Sequence, residues 1–272
     1  MLGAAVGGLR VKIHAPGCRL SAMADEYHFR LSSHDETSIS FREKDLTSEV
    51  MGELSFPGSL YYLWTGTEPT PGEEELVGAM LSGLMVHGVT PSTLVSRLTL
   101  FSEPEAVQSA VASAIGGVGS QFIGTMKECS EHLHDVIDAE DTQAAVDGLV
   151  ASHLDHGEQF PGIGHPHLDP VDPRAERLFE LADDADVTGE YTEALRSITS
   201  AFEAETGACL PINVTGAIAS LSADMGLPPT AARGIAIVSR ATGVMGEILE
   251  EQERPIAGDV WQHVDTNATG PE

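Results

Sequence analysis

The segment FPGIGHPH, residues 160–167, is the clearest place in this chain for chemistry. Gly162, Ile163 and Gly164 form a loop whose backbone N–H groups can approach an anion, and His165 places an imidazole at its end. Such a histidine can donate a hydrogen bond or carry a proton near neutral pH. The chain has eleven histidines, so position matters more than type. Three arginines stand in short distinctive contexts: Arg174 in DPRA, Arg240 in SRATG and Arg254 in ERP. A planar guanidinium holds a carboxylate through two parallel bonds, which a lysine cannot do. The competing use is a surface ion pair with one of the many acids, worth little in each case. His87, in VHGVTPS, also has an ordinary reading as a helix-end residue beside the Gly88 cap.

The charge balance narrows what these residues can serve. The chain has 272 residues with 42 Asp+Glu against 14 Lys+Arg, a net charge of −28. Only Lys12, Lys44 and Lys127 are lysines. A field of that sign opposes nucleic-acid backbones and anionic membrane surfaces. No run of apolar residues is long enough to span a bilayer. Hydrophobic residues make up 42%, which supports a folded core. Dispersed acids and depleted lysine fit a surface kept soluble in high salt, with an acidic face for a cationic partner as the alternative. All the acids fall after Ala22, whereas residues 1–22 carry Arg10, Lys12 and Arg19. That segment reads as a disordered extension or as an early start, with Met23 the true one. Cys18, Cys129 and Cys209 form no CxxC and no cluster with histidine, so no metal site is expected, and an odd number of sparse cysteines fits a reducing cytoplasm.

The elements that must carry these groups read as helices. Apolar residues recur at helical spacing over 43–54, 73–87, 104–115, 121–137, 141–155, 173–186, 189–205, 213–225, 229–239 and 241–252. Thr70-Pro71, Ser102-Glu103-Pro104 and Pro228-Pro229 mark helix starts. Residues 26–31 and 38–41 suggest one short strand pair, and the tail from Asp265 reads as disordered. The expected fold class is all-α. The glycine cluster 116–119 matches neither GxGxxG nor a P-loop and reads as close helix packing.

The order of these motifs resembles the citrate synthase superfamily. FPGIGHPHLDPVDPRAERLFELA (160–182) is similar to its loop-and-helix signature, and 212–255 is similar to its C-terminal half. Residues 54–98 are similar to its large-domain helices, and the GHP and HGVTPS forms resemble the compact citryl-CoA lyase branch. The resemblance implies a large helical domain from 23–124 and 213–264, a small domain from 125–212, and a homodimer or higher assembly. It implies an acyl-CoA and a 2-oxo acid or dicarboxylate as small-molecule partners, with coenzyme A ester as substrate and no bound cofactor. His165 and His87 then face the oxo acid, Arg174 and Arg240 hold its carboxylates, and Arg254 acts across the dimer interface. Gly162, Ile163 and Gly164 admit CoA.

Two positions depart from the family. Phe122 stands where synthases have the histidine that binds the thioester carbonyl, and phenylalanine cannot donate that bond. Thr215, in Asn213-Val214-Thr215, replaces the aspartate that acts as general base. A hydroxyl is a poor base near pH 7, and losing general-base catalysis costs roughly 10²–10⁴-fold in rate. Asp224 is a carboxylate that could stand in only if the chain brings it round, and Glu247 replaces a histidine usual in relatives. Two functions therefore stand side by side. One is a citryl-CoA lyase or citrate synthase-like enzyme; the other is a member that binds CoA esters or dicarboxylates without turnover.

Overall fold

A computed structural model describes residues 29–119, 124–164, 171–268 and 270. Residues 1–28, Phe122, His165 and the end of the tail lie outside the described residues.

The chain is all-α. Among the described residues, eleven α-helices follow a short antiparallel pair, β1 (Ser40–Phe41) and β2 (Lys44–Asp45). Where the sequence suggests a helix over 43–54, β2 leads instead into one π-turn, Leu46–Val50. The Asp45 carboxylate caps that turn by accepting from Thr47 and Ser48, and Gly52 then takes a positive φ of 88° that ends it. β1 falls within the expected 38–41 but pairs with 44–45, and of the expected partner 26–31 the residues 26–28 lie outside the described residues.

Caps and prolines set most helix starts. α1 is Phe56–Thr65, α2 Pro71–Leu84 and α3 Pro91–Ser102. Thr70 and Thr90 close capping boxes on Glu73 and Thr93, and proline takes the first position of α2 and α3, where its missing N–H costs nothing. α4 (Val107–Gly116) begins later than Pro104 suggests. α5 is Thr125–Ile137, α6 Thr142–His156, α7 Pro173–Asp184 and α8 Glu190–Thr206. α9 is Val214–Asp224, α10 Pro229–Glu253 and α11 Ala257–Asn267. α11 thus carries helix past Asp265, where a disordered tail was expected.

α9 runs through the middle of the core. Every residue from Gly216 to Ala223 is buried, and most are Gly, Ala or Ser. Small side chains let α5, α7, α8 and α10 all pack against it. One apolar cluster joins Leu60, Met80, Leu133, Ile198, Ile218 and Ile235. It crosses the position where the resemblance implies a division into large and small domains. A second cluster, Leu100, Ala110, Ala114, Val244 and Ile248, seats α3 and α4 on the far half of α10.

α10 is one helix of 25 residues, although 229–239 and 241–252 read as two. The small residues there serve packing. A Cβ at Gly243 overlaps the carbonyl oxygen of Met85, so only glycine lets the end of α2 lie this close. Four residues earlier, Ser239 donates to the Leu81 carbonyl. Together these contacts fix the register between α10 and the end of α2. Arg97 of α3 ties down the other end of α10. It donates to Glu247 and Glu250, and at 2.8 Å to Glu251. Glu251 in turn accepts from the N–H groups of Ile256 and Ala257 at the start of α11. Among the described residues, no helix is long and apolar enough to cross a membrane.

Gly243→Ala is expected to destabilise the fold by about 2 kcal/mol, since the added methyl meets backbone rather than a movable side chain. Gly246→Ala, one turn on with nothing within 4 Å of the added carbon, is expected to stabilise it by about 1 kcal/mol. Urea denaturation of the two variants checks the pair; equal effects would refute the packing account.

Candidate functional site

Helix ends meet at one cavity of about 460 Å³. The starts of α3 (Thr90, Ser92), α5 (Thr125, Met126), α7 (Arg174) and α9 (Val214, Thr215) all reach its wall. A helix start carries partial positive charge from its aligned peptide dipoles, equivalent to roughly half an elementary charge. Arg174, Arg240 and His87 line the same space. In a chain of 42 acids, no Asp or Glu is among the described residues that line it. The described wall is therefore electropositive within an acidic protein.

The loop 161–164 forms one wall, and its glycines are dictated by space. Gly162 (φ 97°) and Gly164 (φ 79°) adopt backbone that side chains resist. A Cβ on Gly162 lies 2.8 Å from both the Gly216 Cα and the Cys129 Sγ, and one on Gly216 overlaps the Gly162 carbonyl. The loop therefore rests directly on the first turn of α9 and on buried Cys129, whose thiol is pushed up by burial and stays protonated. The N–H of Asn213 donates to the Gly162 carbonyl at 3.0 Å, and the Gly164 N–H to the Pro211 carbonyl at 2.7 Å. The Asn213 amide donates to the Gly164 carbonyl at 2.7 Å, while its oxygen accepts from Thr215 and Gly216 and caps α9. Beneath the loop, Phe160 packs against His132, His153 and Phe202.

The two arginines differ in how much they have left to give. Arg174 is held by Asp172, its neighbour at the cap of α7. The Asp172 carboxylate is closed to solvent and accepts from Arg174 Nε at 3.0 Å and Nη2 at 2.9 Å. Burial alone raises the Asp172 carboxyl, but Arg174 and the Val214 N–H outweigh it and hold the group below its usual value. Arg174 Nη1 lies 3.3 Å from His87 Nδ1. Arg240 is only 5% exposed, and its Nε has no hydrogen-bond partner. Burial pulls its guanidinium below the ordinary value; Glu247 opposes that and Arg174 adds to it. A buried, partly unsatisfied cation is costly unless an anion completes it.

The structure thus brings together His87, Arg174, Arg240, Gly162, Ile163 and Gly164. Arg254 is exposed at the end of α10 and does not line the cavity within one chain. Asp224 does not come round to the site. It lies at the opposite end of α9 and accepts from Tyr191 and Thr192 to cap α8. Glu247 is committed to Arg97, at 3.0 Å from its Nε. Thr215 lines the cavity. Sequence reading overlooked Asp172 and Asn213. Both stand directly before a helix start, which marks them as caps, but nothing local shows that each also reaches a second element.

Residues 22–257 match the family model of the citrate synthase C-terminal domain. The chain belongs to the citrate synthase family. It is 31% identical over 221 residues to a citrate synthase of Haloferax volcanii, covering 78% of this chain and 56% of that protein. It therefore spans about half the length of the curated relatives it matches. The fold is similar to citryl-CoA lyase from Hydrogenobacter thermophilus, with a TM-score of 0.81 and 24% identity over 91% of this chain and 96% of that one. It is also similar to ATP citrate lyase from Methanothrix soehngenii in complex with citrate and coenzyme A, with a TM-score of 0.72, 17% identity, and 84% and 39% of the two chains.

Arg240→Met keeps the volume and removes the buried charge. It is expected to leave the melting temperature of the ligand-free protein unchanged or raised. It is also expected to abolish the added stability given by a saturating dicarboxylate, about 2.7 kcal/mol at a hundred times Kd. Thermal melts with and without oxaloacetate test both halves; a large loss of stability without ligand would show that Arg240 is structural.

Proposed function

We propose that this family member joins or splits the carbon–carbon bond between an acyl-CoA and an oxo-dicarboxylate, as in citryl-CoA cleavage to acetyl-CoA and oxaloacetate or its reverse. The observation that carries the reading is the cavity lined by Arg174, Arg240 and His87, with no acid among the described residues of its wall. In this role Arg240 completes its empty Nε on a substrate carboxylate. Arg174 lies beside it, and Arg254 comes from a second subunit of a homodimer. His87 donates to the oxo acid, and His165, at the end of the glycine loop, polarises its carbonyl. The wall formed by Gly162, Ile163 and Gly164 admits the CoA thioester. Cleavage produces an enolate, which must be stabilised and then protonated. Thr215 stands where relatives keep the proton-transferring carboxylate, so no residue is assigned that step.

A second reading, binding without turnover, is favoured by that same position. Thr215 supplies a hydroxyl, and no described carboxylate faces the cavity to replace the missing base. The two readings part in one experiment. Purified protein in high salt is given citryl-CoA, or acetyl-CoA with oxaloacetate, and products are followed by mass spectrometry. Enzyme function predicts cleavage or condensation. Absence of both, with heat of oxaloacetate binding still seen by calorimetry, establishes the binding reading. Thr215→Asp is expected to raise condensation by roughly 10²-fold or more while ligand affinity stays the same. A variant that binds equally well and gains nothing would show that Thr215 does not occupy the base position.

A further inference from the structure

We infer that Asp172 is a positioning residue of this site: its carboxylate takes one edge of Arg174 and the first N–H of α9, and so turns the remaining edge of Arg174 onto His87. Its importance for turnover rests on the proposed reading of the cavity; the geometry stands apart from it.

The argument is one of donors and acceptors. Asp172 Oδ1 accepts from the Arg174 backbone N–H and from Nε, each at 3.0 Å. Oδ2 accepts from Arg174 Nη2 and from the Val214 N–H, each at 2.9 Å. Every donor is supplied by the starts of α7 and α9, and the side chain is wholly buried. A carboxylate with this many charge-assisted bonds is rigid. It therefore fixes both the rotamer of Arg174 and the distance between two of the helix starts that line the cavity.

The consequence for Arg174 is specific. The Nε/Nη2 edge is the one that normally grips a carboxylate in a fork. Here that edge is spent on Asp172, and the pair is close to neutral. Arg174 thus differs from Arg240, whose Nε is unpartnered in the buried wall. What Arg174 presents is Nη1, 3.3 Å from His87 Nδ1. A guanidinium has no acceptor, so in this contact Nη1 donates and Nδ1 accepts. His87 is then neutral with its proton on Nε2, and Nε2–H is the donor form. Through Arg174, a buried aspartate sets the tautomer of the histidine at the cavity wall.

The test reads the tautomer directly. Nitrogen-15 spectra of histidine-labelled full-length protein at pH 7.5, assigned with His87→Gln, report which ring nitrogen carries the proton. The wild type is expected to show the Nε2–H signature, and Asp172→Asn to lose it, because an amide cannot hold the same arginine edge and the same N–H together. A wild-type His87 in the Nδ1–H form would overturn the inference. So would a folded Asp172→Asn protein with an unchanged signature. Should that variant fail to fold, the wild-type signature decides alone. Calorimetry with oxaloacetate on the wild type separates this inference from the proposed function. No binding together with the Nε2–H form leaves Asp172 in its role and removes the functional reading instead.

Discussion

The contact between Gly162 and Gly216 is the constraint on which the site depends. Backbone lies on backbone there, with no side chain between, and a methyl on either residue has nowhere to go. From that contact follow the pairing of Asn213 with Gly162 and Gly164, the seating of the loop on Cys129, and the placement of Thr215 at the cavity wall. Asn213 and Asp172 then act as two rivets. The first joins the loop to α9, and the second joins α9 to α7. Hydrogen bonds from charged or capping groups are short and directional, so the wall is held by geometry rather than by apolar area.

The opposite wall is placed by a different device. His87 sits in the connection between α2 and α3, with no regular structure to hold it. What holds it is the register of α10 against the end of α2, through Gly243 under Met85 and Ser239 on Leu81. Arg240 lies between those two residues on the same helix. The distance from His87 to Arg240 is therefore set by the packing that buries Arg240. Further along α10, Arg97 gathers three glutamates and anchors α3, the helix whose start supplies Thr90 and Ser92. The glutamate that replaces a histidine in this chain is explained by that anchor, without any part in the chemistry.

Much of this was readable from the residues. α2, α6, α7 and α8 appear in the sequence because their apolar positions recur at 3.6-residue spacing and their ends carry caps or prolines. α1 and α3 do not stand out. In SLYYLWT the apolar residues are continuous, and in PSTLVSRLTL the buried face is largely hydroxyls and Arg97. Both patterns hide a helical period that tertiary packing supplies. Gly243 weakens an isolated helix, whereas here it is the point of closest approach to α2. At the site, each of His87, Arg174, Arg240 and the glycines could be named singly. Their convergence could not, nor could the roles of Asp172 and Asn213. A cap is a local signal, but the second partner of each lies 42 and 49 residues away. For Asp224 the failure ran the other way, since sequence nearness to Thr215 spans a whole helix.

The charge of the chain bears on the cavity in two opposed ways. At long range, −28 repels an anionic CoA ester or dicarboxylate. At contact, the cavity offers a desolvated guanidinium and several helix starts with no described acid among them. These terms respond differently to salt. Exposed acids are screened within about 10 Å at 0.1 M and about 3 Å at 1 M, whereas a buried cation is screened far less. Raising the salt thus removes the repulsion before it weakens the attraction. An acidic surface and an anionic ligand are compatible on this account, provided the acids stay outside. Burying Arg240 and neutralising Arg174 with a fully enclosed Asp172 keep to that rule, because Asp172 spends both carboxylate oxygens on Arg174 and the Val214 N–H.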